Sequence, residues 1–224
     1  MNWPVVQCLT IDGIALSHEA QVHALCAAGV DWIQLRMKTA GDAEVASVAA
    51  ACLPYCRDKG VRLILNDRIE VALEVGVDGV HLGRLDLGWE AARDLAGPEW
   101  IIGGTVNSVE DAQRAVDSQA LNYVGVGPYR FTRTKQNLAP TLRSDQWRSI
   151  LKVLGDLPSY AIGGIVHEDL PKLRTMGLQG VAVSSGLFRG NVVRGNYQGY
   201  LSTWSREIQF TKELLNHETT ENSR

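Results

Sequence analysis

The chain has 224 residues, 45% of them hydrophobic, and a formal net charge of −3, values that are ordinary for a single globular domain. Its basic residues are scattered among Asp and Glu instead of clustered, which argues against a nucleic-acid partner. No segment reaches the roughly eighteen consecutive apolar residues that a membrane span needs, so we expect a cytoplasmic protein without a membrane partner.

Short β-branched segments alternate with longer segments of helical periodicity along most of the chain. Eight segments are predicted strands: Val5–Thr10, Trp32–Leu35, Arg62–Leu65, Gly79–Leu82, Trp100–Gly103, Tyr123–Val126, Tyr160–Ile162 and Gly180–Val183. Between them, apolar residues recur at helical spacing, as at Val109, Ala112 and Ala115. Because a helix connects each strand to the next, we expect a parallel sheet closed into a single (β/α)8 TIM barrel over residues 1–209, with a polar tail over residues 210–224.

The four cysteines are Cys8, Cys26, Cys52 and Cys56, and none of them forms a C-x-x-C pair. We interpret all four as reduced, buried small hydrophobic residues. A metal site built from Cys52, Cys56 and a remote histidine is an alternative, although structural zinc usually needs four ligands close together.

In a parallel β/α barrel the active site forms at the C-terminal ends of the strands, so polar residues at those ends are the first candidates. Gln34, Arg36 and Lys38 alternate with Leu35 and Met37 after the second strand, so the three polar side chains point the same way. Two cations and an amide on one side predict an anion site. A solvated strand end would give the same pattern.

Two carboxylates, Asp67 and Asp86, follow adjacent predicted strands and are placed to share one hard cation. Mg²⁺ is favoured, because it takes one or two carboxylates together with water and substrate phosphate oxygens. Two alternatives stay open: the pair is a general acid and base, or Asp67 caps the helix that follows it.

The remaining polar candidates at the strand ends are Asn66, His81, Thr105, Thr132, Thr134, Lys135, Gly164, Ser184 and Ser185. Lys135 and its two threonines lie in an aperiodic segment that predicts a lid over phosphate oxygens. The Gly164 turn lets backbone N–H groups approach a phosphate, with two serine hydroxyls beside it. His81 lies between Val80 and Leu82 and is equally compatible with a structural role in the core.

Taken together, the segments QLRMK, NDR, DGVHLGRLD, VGVGPYRFTRTK, AIGGI and GVAVSSGLF resemble the thiamine phosphate synthase family in order and spacing, over about Val5–Phe188. The resemblance implies that 4-amino-5-hydroxymethyl-2-methylpyrimidine diphosphate is coupled with 4-methyl-5-(2-phosphooxyethyl)thiazole, with release of pyrophosphate and with Mg²⁺ as cofactor. It also implies a dissociative mechanism, in which pyrophosphate leaves before the thiazole nitrogen attacks, and a homodimer or small homo-oligomer.

The same resemblance implies a role for each matching residue. The Mg²⁺ ligands would be Asp67 and Asp86. The pyrophosphate would be held by Arg36, Lys38, Asn66 and Lys135, assisted by Thr105, Thr132 and Thr134. The aminopyrimidine would contact Gln34 and His81. The thiazole phosphate would bind near Gly164 and Ser185.

The chain departs from the usual family pattern at three places. Thr105 stands where Ser is common, and Arg84 stands where Gln is usual. Arg130 and Phe131 replace a common Phe-Pro pair. These changes bear on rate and affinity more than on reaction type.

Three alternatives to a synthase stay open. A thiazole tautomerase shares the barrel but typically has a catalytic His where this chain has Pro128, and it does not keep the set of Asp67, Asp86 and Lys135. A non-catalytic barrel that binds thiazole phosphate or thiamine phosphate would not need the metal ligands. A phosphosugar isomerase would not need the cations of QLRMK and TRTK.

Overall fold

The computed structural model describes residues 3–130 and 140–205, which include a closed barrel of eight parallel strands. The strands are β1 (Val6–Leu9), β2 (Trp32–Leu35), β3 (Arg62–Asn66), β4 (Gly79–Leu82), β5 (Ile101–Val106), β6 (Tyr123–Val126), β7 (Ser159–Ile162) and β8 (Gly180–Val183). Each strand pairs with its neighbours in the chain, and β8 closes the barrel on β1 with Val6 opposite Val181. The predicted (β/α)8 TIM barrel is confirmed.

Helices cover the outside of the barrel between successive strands. They are α1 (His18–Ala28), α2 (Asp42–Asp58), α3 (Ile69–Val75), α4 (Trp89–Ala96), α5 (Val109–Ser118), α6 (Ser144–Leu154), α7 (Leu170–Thr175) and α8 over residues 193–205, with 3₁₀ turns at His167–Asp169 and Ser185–Asn191. Gly29 and Gly76 end α1 and α3 with φ of 81° and 74°, a left-handed conformation that turns the chain directly into the next strand. None of the described helices is long and apolar enough to cross a membrane.

Two strands run further than the sequence predicts. β3 includes Asn66 and β5 includes Thr105, although both residues were expected to follow their strands. A polar residue can form the backbone hydrogen bonds of a sheet as well as an apolar one. The side chains of Asn66 and Thr105 are both buried. The prediction for β5 ended at Gly103. The absence of a side chain at Gly103 makes room for the ring of Tyr123, since an added Cβ would lie 2.2 Å from its Cζ.

Inside the barrel, an apolar cluster is formed by Leu9, Trp32, Ile64, Ile101, Tyr123, Tyr160 and Ala182. Polar side chains replace it toward the C-terminal ends of β2 to β5. This change from apolar to polar places the accessible chemistry of the barrel at one end, as the architecture requires.

All four cysteines are free and buried, as predicted. Sγ of Cys26 and Sγ of Cys56 lie 3.8 Å apart between α1 and α2. Residues 3–130 and 140–205 contain no group of three or more His, Cys, Asp or Glu side chains suited to a metal ion.

Candidate active site

Asp67 lies directly after β3 and is one of two non-glycine residues with positive φ in the described chain, at 70°. Its backbone N–H donates to the carbonyl of His81 at 2.8 Å, which fastens this strained residue to β4. Its carboxylate accepts a hydrogen bond from the Lys38 ammonium. Arg68, not Asp67, precedes α3, and no side chain caps that helix. The alternative that Asp67 is a helix cap is therefore wrong.

Asp86 lies in the turn after β4, where its Oδ2 accepts from the backbone N–H of Gly83 at 2.6 Å. Burial and the neighbouring charge of Asp67 raise the pKa of Asp86. Burial also acts to raise the pKa of Asp67, but the hydrogen bond and charge of Lys38 outweigh it and lower that pKa. The two carboxylates thus share one site and have divergent acidities.

Lys38, Asp67 and Asp86 line one cleft of about 470 Å³ at the mouth of the barrel, together with Arg68, Ile69, Glu70 and Leu87. Mg²⁺ is usually bound by one or two protein carboxylates, with water and substrate oxygens as its remaining ligands. Asp67 and Asp86 provide such a pair of carboxylates. The residues present therefore fit the ion that the sequence predicts.

The cation Arg36 lies beside this cleft and is buried, with 8% of its surface exposed. The Thr10 hydroxyl forms two hydrogen bonds with the backbone of Arg36. It accepts from the Arg36 N–H at 2.8 Å and donates to the Arg36 carbonyl at 3.2 Å. Burial lowers the pKa of Arg36, and the charges of Asp12 and Asp67 partly offset that effect. A guanidinium in this setting stays protonated and is ready for an anionic ligand.

Sequence reasoning did not single out Thr10 and Asp12, which follow β1. Oδ2 of Asp12 accepts from the backbone N–H of Lys38 at 3.2 Å and lies 3.8 Å from Nη1 of Arg36. Both residues could have been found from the sequence T-I-D at the end of the first strand, because the candidates on the other strands were identified by the same kind of position.

Asn66 ends β3 and is 7% exposed. Its Nδ2 is buried and has no hydrogen-bond partner among the described residues. Leaving a buried donor unsatisfied costs about 1–3 kcal/mol, which an anionic ligand accepting from this amide would recover.

Gln34, His81 and Thr105 lie inside the barrel and are joined by two residues that sequence reasoning missed. Nδ1 of His81 is 3.2 Å from the hydroxyl of Tyr123, and Nε2 of His81 is 3.0 Å from Oγ1 of Thr105. Nε2 of Gln7 donates to the same tyrosine hydroxyl at 2.9 Å. Nε2 of Gln34 lies 3.5 Å from Oε1 of Gln7. Sequence offered little signal for Gln7 and Tyr123, because each lies within a predicted strand.

The Gly163–Gly164 turn follows β7, with φ of 106° and 65°. Ser185 begins the 3₁₀ turn after β8, and the Ser184 hydroxyl donates to the Thr10 carbonyl at 3.3 Å. Of these predicted phosphate-binding residues, the serines after β8 therefore lie beside the end of β1, and the Ser184 hydroxyl is already engaged by its backbone.

Arg130 fastens the segment after β6 to this glycine turn. Its guanidinium donates to the carbonyl of Gly164 at 3.1 Å and to both carboxylate oxygens of Asp169. Its backbone N–H donates to the carbonyl of Gly163 at 3.0 Å. The hydrogen bond to Asp169 raises the pKa of Arg130. Thr132, Thr134 and Lys135 lie outside the described residues.

Residues 8–187 match the family model described as thiamine monophosphate synthase. The chain is 44% identical over 165 residues to the thiamine-phosphate synthase of Bacteroides thetaiotaomicron, which covers 72% of this chain and 78% of the relative. It is 43% identical over 165 residues to that of Bacteroides fragilis, covering 72% and 80%. The fold resembles a thiamine phosphate pyrophosphorylase from Pyrococcus furiosus with a TM-score of 0.78 and 27% identity, over 90% of this chain and 96% of that one.

Proposed function

This chain belongs to the thiamine monophosphate synthase family and has thiamine-phosphate synthase activity, and we propose that its substrates are the aminopyrimidine diphosphate and the thiazole phosphate named above. The observation that supports this most is the convergence of Lys38, Asp67 and Asp86 in one cleft beside the buried Arg36. Cations next to paired carboxylates suit a leaving group that carries several negative charges.

The pyrophosphate end of the first substrate would bind at the ends of β2 and β3. Arg36 and Lys38 supply positive charge there, and the amide of Asn66, which has no partner in the described part of the chain, supplies a donor. Lys135, with Thr132 and Thr134, would complete the set, a role that rests on the sequence pattern and the family resemblance. These groups neutralise charge that grows on the leaving oxygen as its bond to carbon breaks.

Asp67 and Asp86 would hold Mg²⁺ together with substrate phosphate oxygens and water. When bound, the ion would neutralise part of the charge of the departing pyrophosphate. Lys38 contacts Asp67 in the structure, so one of the two carboxylates is already paired with a cation.

The organic parts of the two substrates would lie deeper and on the opposite side of the mouth. Gln34 and His81 would contact the aminopyrimidine, with Thr105 next to His81. Gly164 and Ser185, with Ser184, would bind the thiazole phosphate. The protein then supplies position and electrostatic stabilisation, which are large terms in catalysis.

The proposed reaction is dissociative. The carbon–oxygen bond breaks first and both electrons leave with pyrophosphate, while the pyrimidine amino group stabilises the positive charge on the exocyclic carbon. The thiazole nitrogen then donates its lone pair to that carbon. No protein nucleophile takes part, so a trapped covalent adduct between pyrimidine and protein would contradict the mechanism.

The tautomerase alternative gains no support from Pro128. This side chain cannot exchange a proton, whereas that family places a catalytic histidine here. We also propose a homodimer by analogy with the family, and a light-scattering mass at the monomer value would contradict it.

The function is tested by measuring thiamine phosphate formed from the two synthetic substrates, with Mg²⁺ and with EDTA. We expect product with the metal and none after chelation. Metal-independent turnover would overturn the magnesium assignment. Absence of product from a folded, Mg²⁺-supplied protein would overturn the substrate assignment.

A further inference from the structure

The polar side chains inside the barrel form one chain of hydrogen bonds that runs from Gln34 through Gln7, Tyr123 and His81 to Thr105. All five side chains are buried, with 8% or less of their surface exposed. The longest link is the 3.5 Å between Nε2 of Gln34 and Oε1 of Gln7, and the others span 2.9 to 3.2 Å. Such a chain fixes the direction of each donor along it.

The tyrosine hydroxyl determines that direction, because it has a single proton to give. Its oxygen accepts from the amide of Gln7 and also interacts with the side chain of Gln34, so among these neighbours Nδ1 of His81 is the acceptor left for its proton. A neutral imidazole that accepts at Nδ1 carries its proton on Nε2 and donates it to Oγ1 of Thr105. The Thr105 hydroxyl proton is then available to a ligand, and so is the carbonyl oxygen of Gln34, whose amide nitrogen faces the chain.

The backbone is adapted to bring Tyr123 into this position. Its ring lies against Gly103 on β5, where any Cβ would come within 2.5 Å of the hydroxyl oxygen. Gly125 on β6 faces the imidazole of His81, with 3.4 Å between an added Cβ and Cε1. Burial raises the pKa of Tyr123, so the hydroxyl keeps its proton and remains a donor at neutral pH.

We propose that Tyr123 positions the groups that recognise the pyrimidine and thereby determines specificity for it; this inference rests on the proposed function. The direction that it imposes leaves an acceptor on Gln34 and a donor on Thr105. An aminopyrimidine offers the complementary groups, a donating amino group and an accepting ring nitrogen. A 4-oxopyrimidine offers an accepting oxygen and a donating ring N–H, so it meets the wrong group at both ends. The chain of hydrogen bonds thus selects amino over oxo substrates.

The first test is direct and needs no turnover. ¹⁵N NMR of the imidazole nitrogens of His81, assigned by comparison with His81→Gln, reports which nitrogen carries the proton. We expect a neutral ring protonated on Nε2 in the unmodified protein, and a changed Nδ1 shift in Tyr123→Phe. Protonation on Nδ1 in the unmodified protein would overturn the proposal.

The second test compares, by calorimetry without the thiazole phosphate, the dissociation constant of the aminopyrimidine diphosphate with that of its 4-oxo analogue. Tyr123→Phe removes one neutral hydrogen-bond donor, so we expect the preference for the amino substrate to fall about tenfold. Inhibition by inorganic pyrophosphate, which tests the cationic end of the site, should not change. An unchanged preference in Tyr123→Phe would overturn the proposal.

Tyr160→Phe is the matched control. This tyrosine belongs to the same apolar cluster, but its hydroxyl donates to the carbonyl of Pro4 at 2.6 Å and takes no part in the chain. It should keep the preference, and an equal loss in both variants would count against a specific role for Tyr123. If circular dichroism shows that Tyr123→Phe is unfolded, Gln7→Met interrupts the chain one link away and should give the same loss.

The two proposals fail in different ways. No product from the unmodified protein with either pyrimidine would refute the proposed function, while the NMR measurement would still test the direction of the chain. Normal product formation with an unchanged preference in the variants would refute the role of Tyr123 alone.

Discussion

The Lys38 ammonium contacts the Asp67 carboxylate, and this contact joins the ends of β2 and β3. Asp67 holds its carboxylate there with a backbone φ of 70°, a conformation that costs a non-glycine residue about 1 kcal/mol or more. Strain of this kind persists where surrounding structure enforces it, and here the hydrogen bond from the Asp67 N–H to the His81 carbonyl does so.

Replacing Asp67 with glycine should therefore separate stability from activity. Asp67→Gly relieves the backbone strain and loses the partly exposed ion pair with Lys38 and the contact with Asp86, so we expect a free energy of unfolding equal to or about 1 kcal/mol above that of the unmodified protein. The same change removes a proposed metal ligand, and we expect kcat/KM to fall at least about 100-fold. Urea unfolding and steady-state kinetics on one preparation measure both.

Gln119→Gly is the control for that variant. Gln119 is the other described non-glycine residue with positive φ, at 50°, and it ends α5 on the far side of the molecule from the cleft. It should gain similar stability and keep full activity. A large loss of stability in Asp67→Gly would contradict the strain argument, and full activity in that variant would contradict the metal assignment.

Asp86→Asn tests the second carboxylate without disturbing its turn. The asparagine carbonyl oxygen still accepts from the Gly83 N–H, so the fold should be retained. Loss of one negative charge weakens cation binding, and we expect the Mg²⁺ concentration for half-maximal activity to rise about tenfold or more. Glu70→Gln, in the same cleft, should leave that concentration nearly unchanged. Equal metal requirements in both variants would exclude Asp86 as a ligand.

The sequence predicted the barrel well because buried parallel strands are short hydrophobic segments separated by helical periods. Alternation along β2 also predicted that Gln34, Arg36 and Lys38 share one side. The partners inside the barrel could not be predicted in the same way. Gln7 and Tyr123 are 116 residues apart, and periodicity specifies which way a side chain points without specifying what it meets across the closed sheet.

Arg130→Met tests the connection between the segment after β6 and the Gly163–Gly164 turn. The change leaves Asp169, which is 5% exposed, without the guanidinium that contacts both of its oxygens. Because Arg130 itself is 46% exposed, solvent screening reduces the cost, and we expect about 1–3 kcal/mol of lost stability. KM for the thiazole phosphate should rise more than KM for the pyrimidine diphosphate.

Arg130→Lys provides the comparison for that effect. Lysine keeps the charge but not the bidentate geometry, so the increase in KM should be intermediate. Equal increases in KM for both substrates would show that the ion pair does not act through the glycine turn.

Gly103→Ala tests whether the space at β5 is what allows Tyr123 to lie across the barrel. A methyl group at residue 103 would come 2.2 Å from Cζ of the ring, so the ring or the strand must move. Overpacking of this kind costs about 1–3 kcal/mol, and we expect that loss in urea unfolding together with a weaker preference for the amino substrate. Gly41→Ala, whose added Cβ meets no atom within 4 Å, should change stability by less than about 1 kcal/mol and leave the preference intact. If Gly103→Ala is as stable and selective as the unmodified protein, the ring has another position available, and the glycine is not the reason that the tyrosine hydroxyl reaches His81.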